Sequence, residues 1–147
     1  MTFIGTLKHP VFILGIVIKI FLITLVQQED VYHGYISFID LAIQNPTNEW
    51  QSWFAAHGSD SAFPYGYVML YLFVPMFSLA KLIHLDLNIA YFATLFLFDS
   101  VLLFTLLRIF SKDQTLTLSL YWLSPIILFA TYYQGFNDLI PTSLMII

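Results

Sequence analysis

The stretch YGYVMLYLFVPMFSLAKLI, residues Tyr65 to Ile83, carries no charge until Lys81. If it crosses a membrane, Lys81 lies in the cytosol and Arg108 and Lys112 face outward, against the rule that basic residues stay inside. If it is re-entrant or interfacial on the outer side, the next apolar segment, Asn88 to Ile109, runs inward and puts Arg108 and Lys112 in the cytosol. The second arrangement fits the charges better. Pro75 in mid-segment is compatible with a broken helix without requiring one. The return segment, Leu116 to Tyr133, then delivers Gly135, Phe136, Asn137 and Asp138 to the same outer side as Glu29 and Asp30.

Composition supports this membrane reading. The chain has 147 residues, 59% hydrophobic and 10% charged, with a mean hydropathy of +0.82, so it has too little polar surface to cover a soluble domain of its size. The expected fold is an all-α, polytopic membrane helical bundle spanning 1–147. Cysteine is absent, which excludes disulfides, thiolate metal sites and a cysteine nucleophile. The five Lys and Arg residues form no basic patch, so nucleic acid is not an expected partner.

The first apolar run, Pro10 to Val26, is about 25 Å long as a helix, slightly short of an average hydrocarbon core. Lys8 and His9 precede it. The loop 27–64 that follows holds Glu29, Asp30, Asp40, Glu49 and Asp60 and no Lys or Arg. That asymmetry places the N-terminus in the cytosol and makes 27–64 the first extracytoplasmic loop. Gln27, Gln28, Glu29 and Asp30 offer no small-residue cleavage pattern, so the run reads as a retained anchor. Proline in the middle of Asn45-Pro46-Thr47 removes it as a glycosylation acceptor. The last apolar run, Pro141 to Ile147, has seven residues, too few to cross as a helix, and the expectation is the front part of a longer protein.

Within the loop, a helix starting near Asp30 aligns Asp30, His33, Ser37, Asp40 and Gln44 along one face. Tyr32, Tyr35, Ile36, Phe38, Ile39, Leu41 and Ile43 occupy the other. This is the pattern of an amphipathic surface helix with its apolar side among acyl chains, and Asn45-Pro46 stops it. Lys19 and Asp99 pose a different question, because each lies well inside an apolar run where an isolated charge is costly. Lys19 is roughly 13 Å below Gln28 and Asp99 roughly 17 Å below Asn88 at 1.5 Å per residue. An intramembrane pair between them is therefore expected, fixing how the first and third apolar segments pack.

The order of these features resembles a known family. An acidic pair after the first span, a surface helix, Phe63-Pro64-Tyr65-Gly66-Tyr67, Asp99 inside the next span, Ser124-Pro125, and then Gly135 with Asp138 three residues on are similar to the integral-membrane GT-C glycosyltransferases. The likeness is to the branch containing the first mannosyltransferase of glycosylphosphatidylinositol synthesis and its prokaryotic relatives. It implies transfer of a sugar, mannose in that branch, from a polyprenyl-phosphate donor to a glycan or lipid acceptor hydroxyl on the non-cytosolic face, with inversion. It also implies a bacterial cytoplasmic or endoplasmic reticulum membrane, and further transmembrane segments or a partner subunit to complete the donor groove. The family's early-loop base matches Asp30, with Glu29 the alternate. A carboxylate there can take the proton from a hydroxyl while the lipid phosphate leaves. Asp138, Asn137, His33 and Tyr65 are the candidate substrate contacts. The branch has Asp-x-Asp where this chain has adjacent Glu29-Asp30, and asparagine where it has Ser124, so the sugar and any divalent metal stay open.

Plainer readings stand beside these. Glu29 and Asp30 also read as charges ending a span, Asp138 as a loop carboxylate, His33 and His57 as interfacial side chains, and Trp50 and Trp53 as headgroup anchors. No His, Asp or Glu cluster has metal spacing. A non-catalytic scaffold or accessory subunit is the alternative function. A transporter fragment centred on Lys19 and Asp99 is a third.

Overall fold

The computed structural model describes residues 3–25, 31–57, 63, 65–110 and 112–146, and every regular element among them is helical. In chain order these are α1 (Phe3–Leu7), α2 (Pro10–Leu25), a π-helical stretch Tyr32–Ile36 leading into α3 (Ser37–Gln44), α4 (Glu49–His57) and α5 (Tyr67–Leu82). Then come α6 (Leu87–Ile109), α7 (Gln114–Thr117) with a π-helical continuation Leu118–Trp122, α8 (Pro125–Ile127) continued by Leu128–Tyr133, and α9 (Leu139–Ile146).

Local chemistry sets several boundaries. Pro10 opens α2, where its missing N–H costs nothing, and the Val11 N–H donates to His9 Nδ1 at 3.3 Å. The Asp86 carboxylate accepts the Asn88 N–H at 2.8 Å and starts α6. At the end of α5 the Leu85 N–H reaches the Ala80 carbonyl at 2.8 Å and the His84 N–H reaches that of Lys81 at 3.3 Å. This closure requires a left-handed residue, and His84 takes φ 55° where glycine is the usual occupant. His84→Gly is therefore expected to raise stability by about 1 kcal/mol, read as a higher midpoint in detergent thermal unfolding.

Among the described residues, two helices are long and apolar enough to cross a membrane, Leu87–Ile109 and the combined stretch Gln114–Tyr133. The second is broken at Ser124-Pro125, since proline cannot continue the ladder and disfavours helical geometry in the residue before it. Ser124 accordingly sits at ψ 121°. Helices α2 and α5 are shorter apolar helices of 16 residues each.

The chain divides into two compact units, one of Met1–Gln27 with Leu95–Ile147, the other Gln28–Thr94. In the first, the usual distribution of polarity is reversed. Lys19, Asp99, Asn137 and Ser143 are fully buried, while Leu120, Ile126 and Met145 are 69%, 78% and 87% exposed. Ile13, Leu14, Val17, Ile20 and Phe21 of α2 are exposed as well. Water penalises such a surface and hydrocarbon does not. The buried hydroxyl of Ser143 donates back to the Ile140 carbonyl at 2.7 Å, so its burial leaves no polar debt.

The second unit is built on aromatic packing. Phe38 stacks on Phe63 at 5.0 Å and meets Trp50 and Trp53, while Tyr91 stacks on Phe73 at 5.1 Å. The helix expected over the first loop is present, with Asn45 donating its N–H to the Leu41 carbonyl and Pro46 following. Its apolar side differs from expectation. Ile36, Phe38 and Ile39 are buried against protein, chiefly α4 and α5, rather than offered to acyl chains, because Trp53 and Phe63 supply a closer apolar partner.

Candidate functional site

The first unit brings Lys19 and Asp99 together. In α2, Phe12, Gly15 and Lys19 recur at steps of three and four and form its inward face. Lys19 Nζ lies 2.5 Å from Asp99 Oδ2, with both side chains fully buried. Two phenols complete the carboxylate: Tyr132 donates to Oδ2 at 2.5 Å and Tyr121 to Oδ1 at 2.8 Å. Tyr121 and Tyr132 are eleven residues apart, three helical turns or roughly 16 Å on a straight α-helix, and so fall on one face. The break at Ser124-Pro125 and the widened turns on either side of it interrupt that straight path, and both hydroxyls converge on one carboxylate.

Trp122 covers the other side of the lysine. Its ring centroid is 2.9 Å from Lys19 Nζ, its indole N–H donates to the Phe12 carbonyl at 2.9 Å, and its ring stacks on Phe12 at 5.1 Å and 7°. An indole face is a favourable neighbour for an ammonium removed from water. The approach depends on Gly15, since a Cβ built there overlaps the Trp122 indole atoms. Gly15→Ala is expected to cost about 1–3 kcal/mol through overpacking, measured as a lower midpoint of detergent thermal unfolding.

Both oxygens of the Asp99 carboxylate are engaged, its charge is paired with Lys19, and it is fully buried. In this geometry it ties Lys19 of α2 to Tyr121 and Tyr132 of the broken helix. Charge pairs of this kind persist in an apolar interior only when the hydrogen bonding is complete.

A second polar feature closes the broken helix. The Gln134 N–H bonds the Phe129 carbonyl and the Phe136 N–H bonds that of Ala130, both at 2.8 Å, a wide final turn. Gly135 follows the helix with φ 72°, a conformation that glycine adopts without a Cβ penalty. The turn sends neighbouring side chains in opposite directions: Asp138 is exposed, whereas Asn137 is fully buried, with neither amide atom hydrogen-bonded among the described residues. A buried amide in that state is a position where a polar partner gains the most.

The other sequence candidates are dispersed. Glu29 and Asp30 lie outside the described residues. His33 is exposed, and Tyr65 is half-buried with its ring 6.0 Å from Tyr35 and 5.5 Å from Phe63. Among the described residues, no three His, Cys, Asp or Glu side chains form a metal-holding group. Sequence reasoning passed over Tyr121, Trp122 and Tyr132. The three-turn spacing of Tyr121 and Tyr132 puts them on one face but does not by itself single them out from the other aromatics of an apolar segment. Compared with known proteins, the chain matches no protein-family model, no curated protein and no solved structure.

Proposed function

We propose that this chain is a multi-pass membrane module of a glycosyltransferase that uses a polyprenyl-phosphate sugar. The single observation that carries the reading is the ordered series Glu29-Asp30, surface helix, Phe63-Pro64-Tyr65-Gly66-Tyr67, Asp99, Ser124-Pro125, Gly135 and Asp138 along an apolar, helical chain. Two structural features support it. Asp99 is fully buried and paired with Lys19, which disfavours it as the base and directs the duty to loop carboxylates. The Gly135 turn presents Asp138 at the surface directly after an apolar helix.

In this reading the acceptor hydroxyl oxygen attacks the anomeric carbon of the donor. The bond from that carbon to the phosphate oxygen breaks, and polyprenyl phosphate leaves with the electron pair. Asp30, or Glu29 in its place, takes the hydroxyl proton. Attack opposite the leaving group inverts the anomeric centre. Asp138, His33 and Tyr65 are the proposed contacts to donor and acceptor, whereas Asn137, a contact expected from the sequence, is fully buried. A divalent metal is not required by this chemistry, because the phosphate is already a competent leaving group.

The reading needs the first loop and the Gly135 turn to face one compartment. Because cysteine is absent, single cysteines at Gln51 and Phe136, both exposed, can be labelled with an impermeant maleimide in intact cells. Labelling of both puts the two acidic segments in one compartment, as the reading requires. If one labels only after permeabilisation, the two acidic segments lie in opposite compartments and the transferase reading fails. A non-catalytic scaffold is the second reading, and it tolerates loss of Glu29 and Asp30.

A further inference from the structure

Among the described residues, the outward face of helix α5 is left largely open, with Trp50 touching it at Tyr67. Tyr67, Val68, Tyr71, Pro75, Ser78, Leu79 and Leu82 are all exposed and fall within one stripe about 120° wide at 100° per residue. Met69, Leu70, Phe73, Phe77 and Ala80 occupy the opposite side and are buried. The stripe bears no charge. Lys81, the one cation of the helix, is turned to the side and paired with Asp40 of α3, whose other oxygen accepts from Gln44 Nε2 at 3.0 Å.

That ion pair fixes more than a side chain. Helix α3 packs along α5, and Trp50 of α4 meets the opposite end of α5 through Tyr67 at 4.6 Å. The three helices therefore share one depth. If α5 stood across a bilayer, α3, an eight-residue helix too short to span, would stand beside it. Helix α5 is also about 24 Å long, short of the roughly 30 Å core. Pro75 lies within the stripe and deprives the Tyr71 carbonyl of its intrahelical donor, which is tolerable where headgroup water reaches and costly at the bilayer centre.

We propose that α5 does not cross the membrane and that its uncharged stripe docks on one leaflet, with lipid as the occupant. Tyr67, Tyr71 and Trp50 are its headgroup-level aromatics, and Val68, Leu79 and Leu82 enter the acyl region. Lys81 and His84 then stay on the same side as α3. The inference holds whatever chemistry the chain carries.

The test uses the complete protein in membranes, with single cysteines at Gln51 and His84 labelled by impermeant maleimide from each side in turn. Spin labels at Val68 and Leu82 are probed with oxygen as the lipid-soluble relaxant and a nickel chelate as the aqueous one. The expected result is labelling of Gln51 and His84 from the same side, with oxygen dominating relaxation at Val68 and Leu82. Labelling of His84 only from the side opposite Gln51 overturns the proposal, because α5 then spans. Protection of Val68 and Leu82 from both relaxants also overturns it, because a protein partner then covers the stripe. The charge swap Asp40→Lys with Lys81→Asp is expected to keep the wild-type labelling pattern, and reversal of His84 labelling in that folded variant counts against the proposal.

Discussion

Asp99→Leu with Lys19 left in place is expected to destabilise the protein by about 3–5 kcal/mol, enough to lose most folded material from membranes. The aspartate is fully buried and is the acceptor for Lys19, Tyr121 and Tyr132 at once. Removing it strands an ammonium and two phenol hydroxyls without water. The double variant Lys19→Met with Asp99→Leu removes the charges together, and buried pairs replaced by apolar residues of similar volume are often neutral in stability. Its expected cost is accordingly smaller than that of the single variant. Fluorescence-detected size exclusion after graded heating reads both. A double variant no better than the single one contradicts the pairing energetics.

The second large effect concerns the proposed chemistry. Asp30→Asn keeps size and polarity and removes the proton-accepting charge, so sugar transfer is expected to fall by about 10²–10⁴-fold with unchanged thermal stability. Glu29→Gln distinguishes the alternate, since only the residue acting as base shows the large loss. A loss below tenfold in both variants removes the carboxylate base from the reading.

How much of this was visible in advance depends on the kind of residue. Lys19 and Asp99 stood out because a charge inside an apolar run demands a partner, and their depths from the same end were comparable. Tyr121, Tyr132 and Trp122 did not stand out. Aromatic residues are at home in apolar segments, and nothing local marks which hydroxyl or indole will turn toward a distant carboxylate. The widened turns at Leu118–Trp122 and Leu128–Tyr133 are likewise set by tertiary demand rather than by propensity. Gly15 illustrates the same limit: a glycine within a helix is readable, but the indole it admits lies 107 positions further on (122 minus 15).

The loop helix was legible as a helix but not in what covers it. The periodicity of Ile36, Phe38 and Ile39 defines an apolar side equally suited to lipid or protein. Trp53 and Phe63, remote in sequence, decide for protein. Asn137 and Asp138 show a finer limit. They are adjacent in a short polar turn and look equivalent as candidates, yet the left-handed Gly135 before them precedes a turn that buries one and exposes the other.

Donor turnover tests the central claim most directly. The protein, in membranes that retain its own lipid and glycan acceptors and partner segments and are supplied with radiolabelled polyprenyl-phosphate mannose and polyprenyl-phosphate glucose, is predicted to transfer the sugar of one of them to an acceptor hydroxyl with release of free polyprenyl phosphate, and Asp30→Asn to abolish both. Wild-type protein of normal thermal stability that leaves both donors intact, or an Asp30→Asn variant that consumes donor as fast as wild type, contradicts the assignment.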